Sequence, residues 1–399
     1  MVIAGNVFKP LPEPCNMLEG ITEEKIREAE ELIRKGYGEK RLQARLGKGW
    51  KLITEIARAR IRARDKFSRS DLWMDMEGLR YATHEIVAKY RAERLREFGV
   101  ESIVDVSCGI GIQLIFYAMK VKKAYGIDID PMKIEFARRN AEKYGVSNIE
   151  FINADSLLPE TVERVNADVV FSDPARPPEA PERNLEGLLP SPLKVYEAYK
   201  KKARAFIFDL PPQMKREKVP WKGEFEYIDL FGALNRLTFY TEPLAKAERS
   251  AVILPAGVRL ESDPSLENIV EWAEGPDDYL YEIPQSVDYA DLINELFHRL
   301  PVEARMLLRE KRRVLATGDE PVTSPYLKRA YSVVEVLPFH PVRINDFLRK
   351  EGFGRATLRI SVPESEYWRI RRKIEENLKG ERRAFVFKVG EKAVIAEEL

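Results

Sequence analysis

Acids and glycines recur at the ends of short apolar runs in the middle of this chain, where their spacing could hold a nucleotide-like ligand. The segment "VDVSCGIGIQL" places Asp105, Ser107, Cys108, Gly109 and Gly111 after a strand-like run and before a helical stretch. Glycines at such a turn let backbone amides approach a ligand, and a helix start favours negative or lone-pair groups. The next run ends in "YGIDIDP". Its Asp128 lies about twenty residues past the glycines, where a ribose-binding carboxylate sits in nucleotide-binding crossover units. Ile129 follows it, and Asp130 with Pro131 reads as the cap and first turn of a helix. A third run, "FINADS", brings Asp155 and Ser156 to the same edge, and a fourth, "VVFSDPAR", ends at Asp173, Pro174, Ala175 and Arg176. One Gly-x-Gly turn is common in strand-to-helix connections. Acids at successive strand ends beside it point instead to an adenosine-containing ligand.

A dinucleotide wants a third glycine for its pyrophosphate. Leu114 occupies that position and no base stands near. An acid-lined turn suits a cofactor with a positive sulfonium and a zwitterionic amino-acid end, which selects S-adenosylmethionine. Cys108 reads as a small packing residue at the turn, not a nucleophile.

The elements that must position these residues follow from periodicity. From Glu101 onward, runs such as "SIVDV", "KAYGIDI", "NIEFI", "ADVVF" and "ARAFIFDL" alternate with helical stretches. That alternation predicts an α/β fold: a mainly parallel Rossmann-like sheet with helices on both faces. "RLTFYTE" and "SAVILP", separated by a short polar connection, read as an antiparallel pair closing it. Before the sheet, "ITEEKIREAEELIRK" has Ile26, Ala29 and Ile33 at helical spacing, and "EGLRYATHEIVAKYRAERLREFG" is a helix ending at Gly99. "EIARARIRARDKF" alternates Arg with Ala and Ile, but its composition and length favour a helix. The expected organisation is an N-terminal helical domain over 1–95, the sheet domain over 96–260, a connecting region over 261–332 and a small α+β domain over 333–399.

Composition bounds the rest. The 399 residues, 44 % hydrophobic, are ample for several cores. No apolar run approaches a membrane span, and "MVIAGNVFKPLPEP" lacks the basic and apolar regions of a signal peptide, so a cytoplasmic location is expected. Cys15 and Cys108 make no disulfide framework, and His84, His298 and His340 are scattered without metal-ligand spacing, so no metal is expected. A formal net charge of +1 hides an asymmetry: between Arg34 and Arg69 stand thirteen Lys or Arg against three acids. That excess suits a polyanion such as RNA, with Arg58, Arg60, Arg62 and Arg64 as contacts; a solvated helix face is the plain alternative.

The series Asp105-x-x-Cys108-Gly109-x-Gly111, "GIDIDP", Asp155 and "SDPAR" resembles a class I S-adenosylmethionine-dependent methyltransferase of the kind found among RNA methyltransferases. "DIDPMKIEFARRNAEKYGVSNIEFINAD" is similar to trimethylguanosine synthases, which methylate the exocyclic amine of guanine. "EGLRYATHEIVAKYRAERL", "YLYEIPQSVDYADLINEL", "ATGDEPVTSPYLKRAYSVVEVLPF" and "INDFLRKEGFGRATLRI" resemble methyltransferases that end in a THUMP-like domain. The resemblance covers roughly residues 70 to 399. It implies that Asp105, Ser107, Cys108 and Gly109 to Gly111 surround the methionine end of the cofactor, Asp128 and Ile129 the ribose side, and Asp155 and Ser156 the adenine. Asp173, Pro174 and Arg176 would then face the acceptor. Enzymes that methylate base amines usually have Pro and an aromatic where Ala175 and Arg176 stand, so the acceptor atom stays open between an exocyclic amine and a ring nitrogen. Arg176 could stack on a base, contact a phosphate, or bridge to Glu179 or Glu182.

These readings lead to methylation of a structured RNA at a guanosine, tRNA ahead of rRNA. Methylation of a small molecule or protein, and a cofactor-binding RNA-associated factor with little catalysis, are the alternatives.

Overall fold

A computed structural model describes residues 18–175 and 184–399. The chain divides into two compact units, one of Met1–Leu210, Met214–Lys222 and Phe239–Leu244, the other of Pro211–Gln213, Gly223–Thr238 and Ala245–Leu399.

The first unit begins with helices α1 (Glu23–Arg34), α2 (Glu39–Leu46), α3 (Trp50–Arg62), α4 (Met76–Tyr81) and α5 (Glu85–Glu97). Thr22 caps α1 through its side chain, and Glu23 and Glu24 against Arg34 complement the helix dipole. Its buried stripe is Ile26, Ala29 and Leu32; Ile33 only flanks it. The alternating arginines lie on a helix as expected, because Ile53, Ile56, Ala57 and Arg60 share the buried side of α3. Helix α5 stops where Gly99 takes φ 61°.

There follow β1 (Ser102–Asp105), α6 (Ile112–Ala118), β2 (Lys123–Asp128), α7 (Pro131–Lys143), β3 (Ile149–Asn153), α8 (Pro159–Arg164), β4 (Val169–Ser172), α9 (Pro192–Tyr199) and β5 (Ala205–Leu210). The strands run parallel in the order β3-β2-β1-β4-β5. Ile103, Val104, Val169, Val170 and Ile207 are wholly buried, as strands covered on both faces require. From β1 the chain proceeds outward through β2 and β3, then returns to β1's other side at β4. That reversal leaves a crevice at the carboxyl ends of β1 and β4, where open α/β sheets bind ligands.

The second unit holds β6 (Gly223–Leu230), β7 (Ala233–Thr241, whose last residues belong to the first unit), β8 (Arg249–Leu254) and β9 (Val258–Glu261). The expected antiparallel pairing of "RLTFYTE" with "SAVILP" does not form: β6 lies between β7 and β8, pairs with β8 in parallel, and β8 is antiparallel to β9. The hairpin falls one connection earlier, between β6 and β7. There Phe231 and Gly232, at φ 53° and 75°, make the two-residue turn whose twist suits hairpins.

A second sheet in this unit has the order β11-β12-β10-β13-β16-β15-β14. It comprises β10 (Tyr279–Ile283), β11 (Arg305–Glu310), β12 (Arg313–Gly318), β13 (Arg329–Pro338), β14 (Phe353–Arg359), β15 (Arg382–Val389) and β16 (Lys392–Glu398). Helices α10 (Gln285–Ala290) and α11 (Ile293–Phe297) precede β11, while α12 (Pro341–Lys350) and α13 (Glu364–Ile374) flank β14. Ile344, Leu348, Ile370 and Ile374 bury the inner faces of α12 and α13 in one core with Phe353, Val386 and Ile395. Strands therefore begin well inside the stretch read from sequence as a connection, at β10. Among the described residues no helix is long and apolar enough to cross a membrane.

Candidate active site

Strand β1 delivers Asp105 to the crevice with its side chain 2 % exposed, accepting a hydrogen bond from Ser107 N at 3.0 Å. Burial pushes its carboxyl well above the usual carboxylate range, and the nearby charges of Asp173, Asp128 and Asp209 add to that shift. A cationic ligand end beside these acids would offset that repulsion and favour their ionised forms, and would be attracted in turn.

The loop after β1 is pinned on both sides. Cys108 N donates to Ile127 O on β2 at 2.9 Å, and Gly111 N to Cys108 O at 2.9 Å. Gly111, at φ 82°, is required twice over, because a Cβ there would lie 2.9 Å from Ala137 Cβ on α7. Gly109, at φ 52°, faces open space: a Cβ would meet nothing within 4 Å. Cys108 is buried, and burial raises its thiol pKa well above normal, as befits packing and not a thiolate nucleophile.

At the end of β2, the Asp128 carboxylate accepts Gly109 N at 2.8 Å on one oxygen and Asp130 N at 3.0 Å on the other. Each oxygen keeps a second lone pair, which fits two vicinal hydroxyls of a ribose. Burial raises this carboxyl's pKa, against the lowering effect of those two amide bonds. Beside it Ile129 is 71 % exposed, an apolar surface suited to the flat face of a heterocycle. Asp155, exposed at the end of β3, accepts Leu157 N at 2.9 Å. Ser156 is buried, its carbonyl taken by the Tyr199 hydroxyl at 2.8 Å.

Strand β4 ends at Asp173, whose main chain is clasped by one hydroxyl: Asp173 N donates to Ser107 Oγ at 3.3 Å, and Ser107 Oγ to Asp173 O at 3.4 Å. Ser107 thus joins the loop after β1 to the turn after β4. Pro174 is half-buried, and Ala175 exchanges both backbone hydrogen bonds with Leu189, at 2.8 and 2.9 Å. Paired residues of such a bridge project to one side, which sets the 61 %-exposed Leu189 beside Ala175. Arg176 and its suggested partners Glu179 and Glu182 lie outside the described residues.

Several residues that hold this edge carry no sequence motif. Asn153 Nδ2 donates to Asp128 O and Ile129 O, fixing the turn after β2. Asn140, wholly buried on α7, bonds Trp73 through both amide atoms and donates to Ile110 O in the glycine loop. Arg91 of α5, wholly buried, pairs through its guanidinium with Asp209 at the end of β5 and donates to Gln113 Oε1 at 3.2 Å. Burial alone would lower the Arg91 pKa; the Asp209 carboxylate together with Tyr117 and Tyr240 more than reverses that. Asp209, 6 % exposed, thus serves Arg91 as a buried counter-ion.

The N-terminal arginines separate. Arg58, Arg62 and Arg64 are exposed, with no acid partner among the described residues. Arg60 does not belong with them: 3 % exposed, it donates to Leu72 O and Asp71 O and makes a two-pronged pair with Glu23 at 2.6 and 3.0 Å. Helical rotation explains the split, since residues two apart face nearly opposite ways while Arg58 and Arg62 share a face. Among the described residues no group of three or more His, Cys, Asp or Glu could hold a metal.

Residues 100–233 match the family model described as a methyltransferase domain. An uncharacterized RNA methyltransferase of Oceanobacillus iheyensis is 42 % identical over 77 residues, which is 18 % of this chain and 17 % of that protein. One of Listeria innocua is 44 % identical over 81 residues, 20 % and 18 % of the two chains. The chain thus spans under a fifth of the length of these curated relatives. A solved structure from Porphyromonas gingivalis, described as a candidate methyltransferase, shares the fold with a TM-score of 0.70 at 16 % identity, over 94 % of this chain and 98 % of that one. The parallel-sheet domain is therefore a Rossmann-like class I methyltransferase domain. Its cofactor is S-adenosylmethionine, which the acid-lined edge fits.

Proposed function

We propose that this protein is an S-adenosylmethionine-dependent RNA methyltransferase acting in the cytoplasm on a structured RNA, tRNA ahead of rRNA, at a base nitrogen of guanosine (N2 or a ring nitrogen). The observation that carries the reading is the Ser107 clasp on Asp173, which couples a cofactor loop to an acceptor turn at the strand-order reversal of the sheet. The bound cofactor supplies an electrophilic methyl on a sulfonium. Asp105 and its neighbouring acids favour that positive end, Asp128 takes the ribose hydroxyls, and Asp155 the adenine amine.

Asp173 accepts a hydrogen bond from the guanine amine and keeps the attacking nitrogen's lone pair aimed at the methyl carbon. With S-adenosylmethionine held there, the methyl would pass to that nitrogen as the S–C electron pair left with the sulfur, and the nitrogen would release its proton to water. Leu189 offers an apolar face beside the turn where related enzymes carry an aromatic. Exposed Arg58, Arg62 and Arg64, within the N-terminal domain proposed over residues 1–95, contact RNA phosphates. The THUMP-like domain proposed over residues 333–399 contributes a second RNA contact.

The test is transfer of labelled methyl groups to unmodified total RNA, followed by nucleoside mass spectrometry. A methylated guanosine in a discrete RNA is expected; methylation of a small molecule or protein with no RNA product would overturn the proposal. Asp128→Ala should weaken cofactor binding about tenfold by calorimetry, as the ribose hydroxyls and the Gly109 amide both lose a charged acceptor. Changing Arg58, Arg62 and Arg64 together to alanine should leave cofactor affinity alone. It should also flatten the dependence of RNA affinity on salt by roughly two to three units of log–log slope.

A further inference from the structure

In the second unit, α13 presents a face that its own packing does not explain. Ile370 and Ile374 bury the inner side of this helix, while Trp368 on the other side is 58 % exposed. At about 100° per residue, Trp368, Arg372 and Arg369 fall within one arc of about 100°, opposite the two isoleucines. The other bases of the helix are neutralised, Arg371 by Glu375 at 2.9 Å and Lys373 by Glu376 at 2.7 Å. Arg369 and Arg372 are exposed and have no acid partner among the described residues.

The tryptophan is held ready. Tyr367 meets its ring edge-on with centroids 5.6 Å apart, and the Arg371 guanidinium lies 5.5 Å from its centroid. A helix face meant only for water has no use for a large exposed aromatic set beside two unneutralised cations. An aromatic face for a base with flanking cations for phosphates is the composition of a nucleic-acid stacking platform.

We infer that Trp368, Arg369 and Arg372 of α13 bind RNA, an unpaired base stacking on Trp368 while the two guanidinium groups take the adjoining phosphates. This rests on the RNA methyltransferase reading and assigns that substrate a contact outside the methyltransferase domain.

The test uses the full chain with fluorescein-labelled, unmodified tRNA transcripts, followed by anisotropy over a series of salt concentrations. Trp368→Ala should weaken binding about tenfold, and Trp368→Phe should keep most of the affinity. Arg369→Ala with Arg372→Ala should flatten the log–log salt dependence by roughly one and a half units. Cofactor affinity, measured by calorimetry, should be unchanged in every variant, which shows that the fold is intact. If wild-type protein binds the transcripts and the variants match it in affinity and salt slope, the α13 platform is wrong while the methyltransferase reading stands. If wild-type protein binds no RNA, both fall.

Discussion

Replacing Asp173 with alanine is expected to lower methyl transfer about a hundredfold at saturating cofactor, the size of effect that follows when a reacting group loses its alignment. Cofactor affinity should hold. The expectation divides this way because two different parts of the residue do two jobs. Its main-chain N–H and carbonyl engage the Ser107 hydroxyl, and alanine keeps both bonds, so the cofactor loop stays tied to β4. Its carboxylate is the part proposed to orient the acceptor amine, and alanine removes it. Ser107→Ala should do the reverse, loosening the tie while sparing the carboxylate, and so raise the cofactor dissociation constant before it lowers the rate. Single-turnover assays with calorimetry on the same preparations separate the two. Unchanged transfer by Asp173→Ala on the true substrate would remove Asp173 from the acceptor site.

How far the site was legible in the sequence depends on where each residue's partners lie. Asp105, Gly109, Gly111, Asp128 and Asp173 were readable because each ends a strand or opens the turn after it, and the end of a parallel strand is fixed by local pattern alone. Their long-range props were not. Asn140 and Asn153 act on backbone brought close only by the fold, and an asparagine on a helix or at a strand end looks like any surface amide. Arg60 failed for a related reason: an alternating Arg pattern shows charge but not rotation, and the helical turn sends Arg60 inward to Glu23, thirty-seven residues away. The β6–β7 hairpin was missed because its turn is Phe-Gly, with an aromatic at the first positive-φ position instead of the usual Asn or Asp. Trp368 carried no such signal either, since exposure is not written in the sequence of a short amphipathic element.

Arg91 gives the largest expected effect on stability, and no motif announces it. Arg91→Met should destabilise the first unit by about 3–5 kcal/mol, because removing one partner of a buried ion pair strands the other charge away from water. The stranded group is Asp209, buried at the end of β5, whose two carboxylate oxygens the Arg91 guanidinium engages. Adding Asp209→Leu should return most of the loss, since an apolar pair of similar volume needs no counter-charge; a double-mutant cycle in denaturant midpoints measures the coupling. The pH dependence has a definite sign. An unpaired buried carboxyl has a folded-state pKa above its unfolded value, so the folded protein holds the proton more tightly. The deficit of Arg91→Met should therefore be small in mild acid and grow as pH rises through that folded pKa, while the double variant shows no such trend. A deficit in Arg91→Met that is equal at pH 5 and pH 8 would mean that its loss is one of packing against Phe171 and Gln113, and not of charge. Because Asp209 also lies near enough to raise the Asp105 pKa, the same variants report on the cofactor edge. The double variant loses one charge of each sign from a contacting pair, so the net charge beside Asp105 is unchanged and its affinity for the cationic cofactor should stay close to wild type once stability is restored.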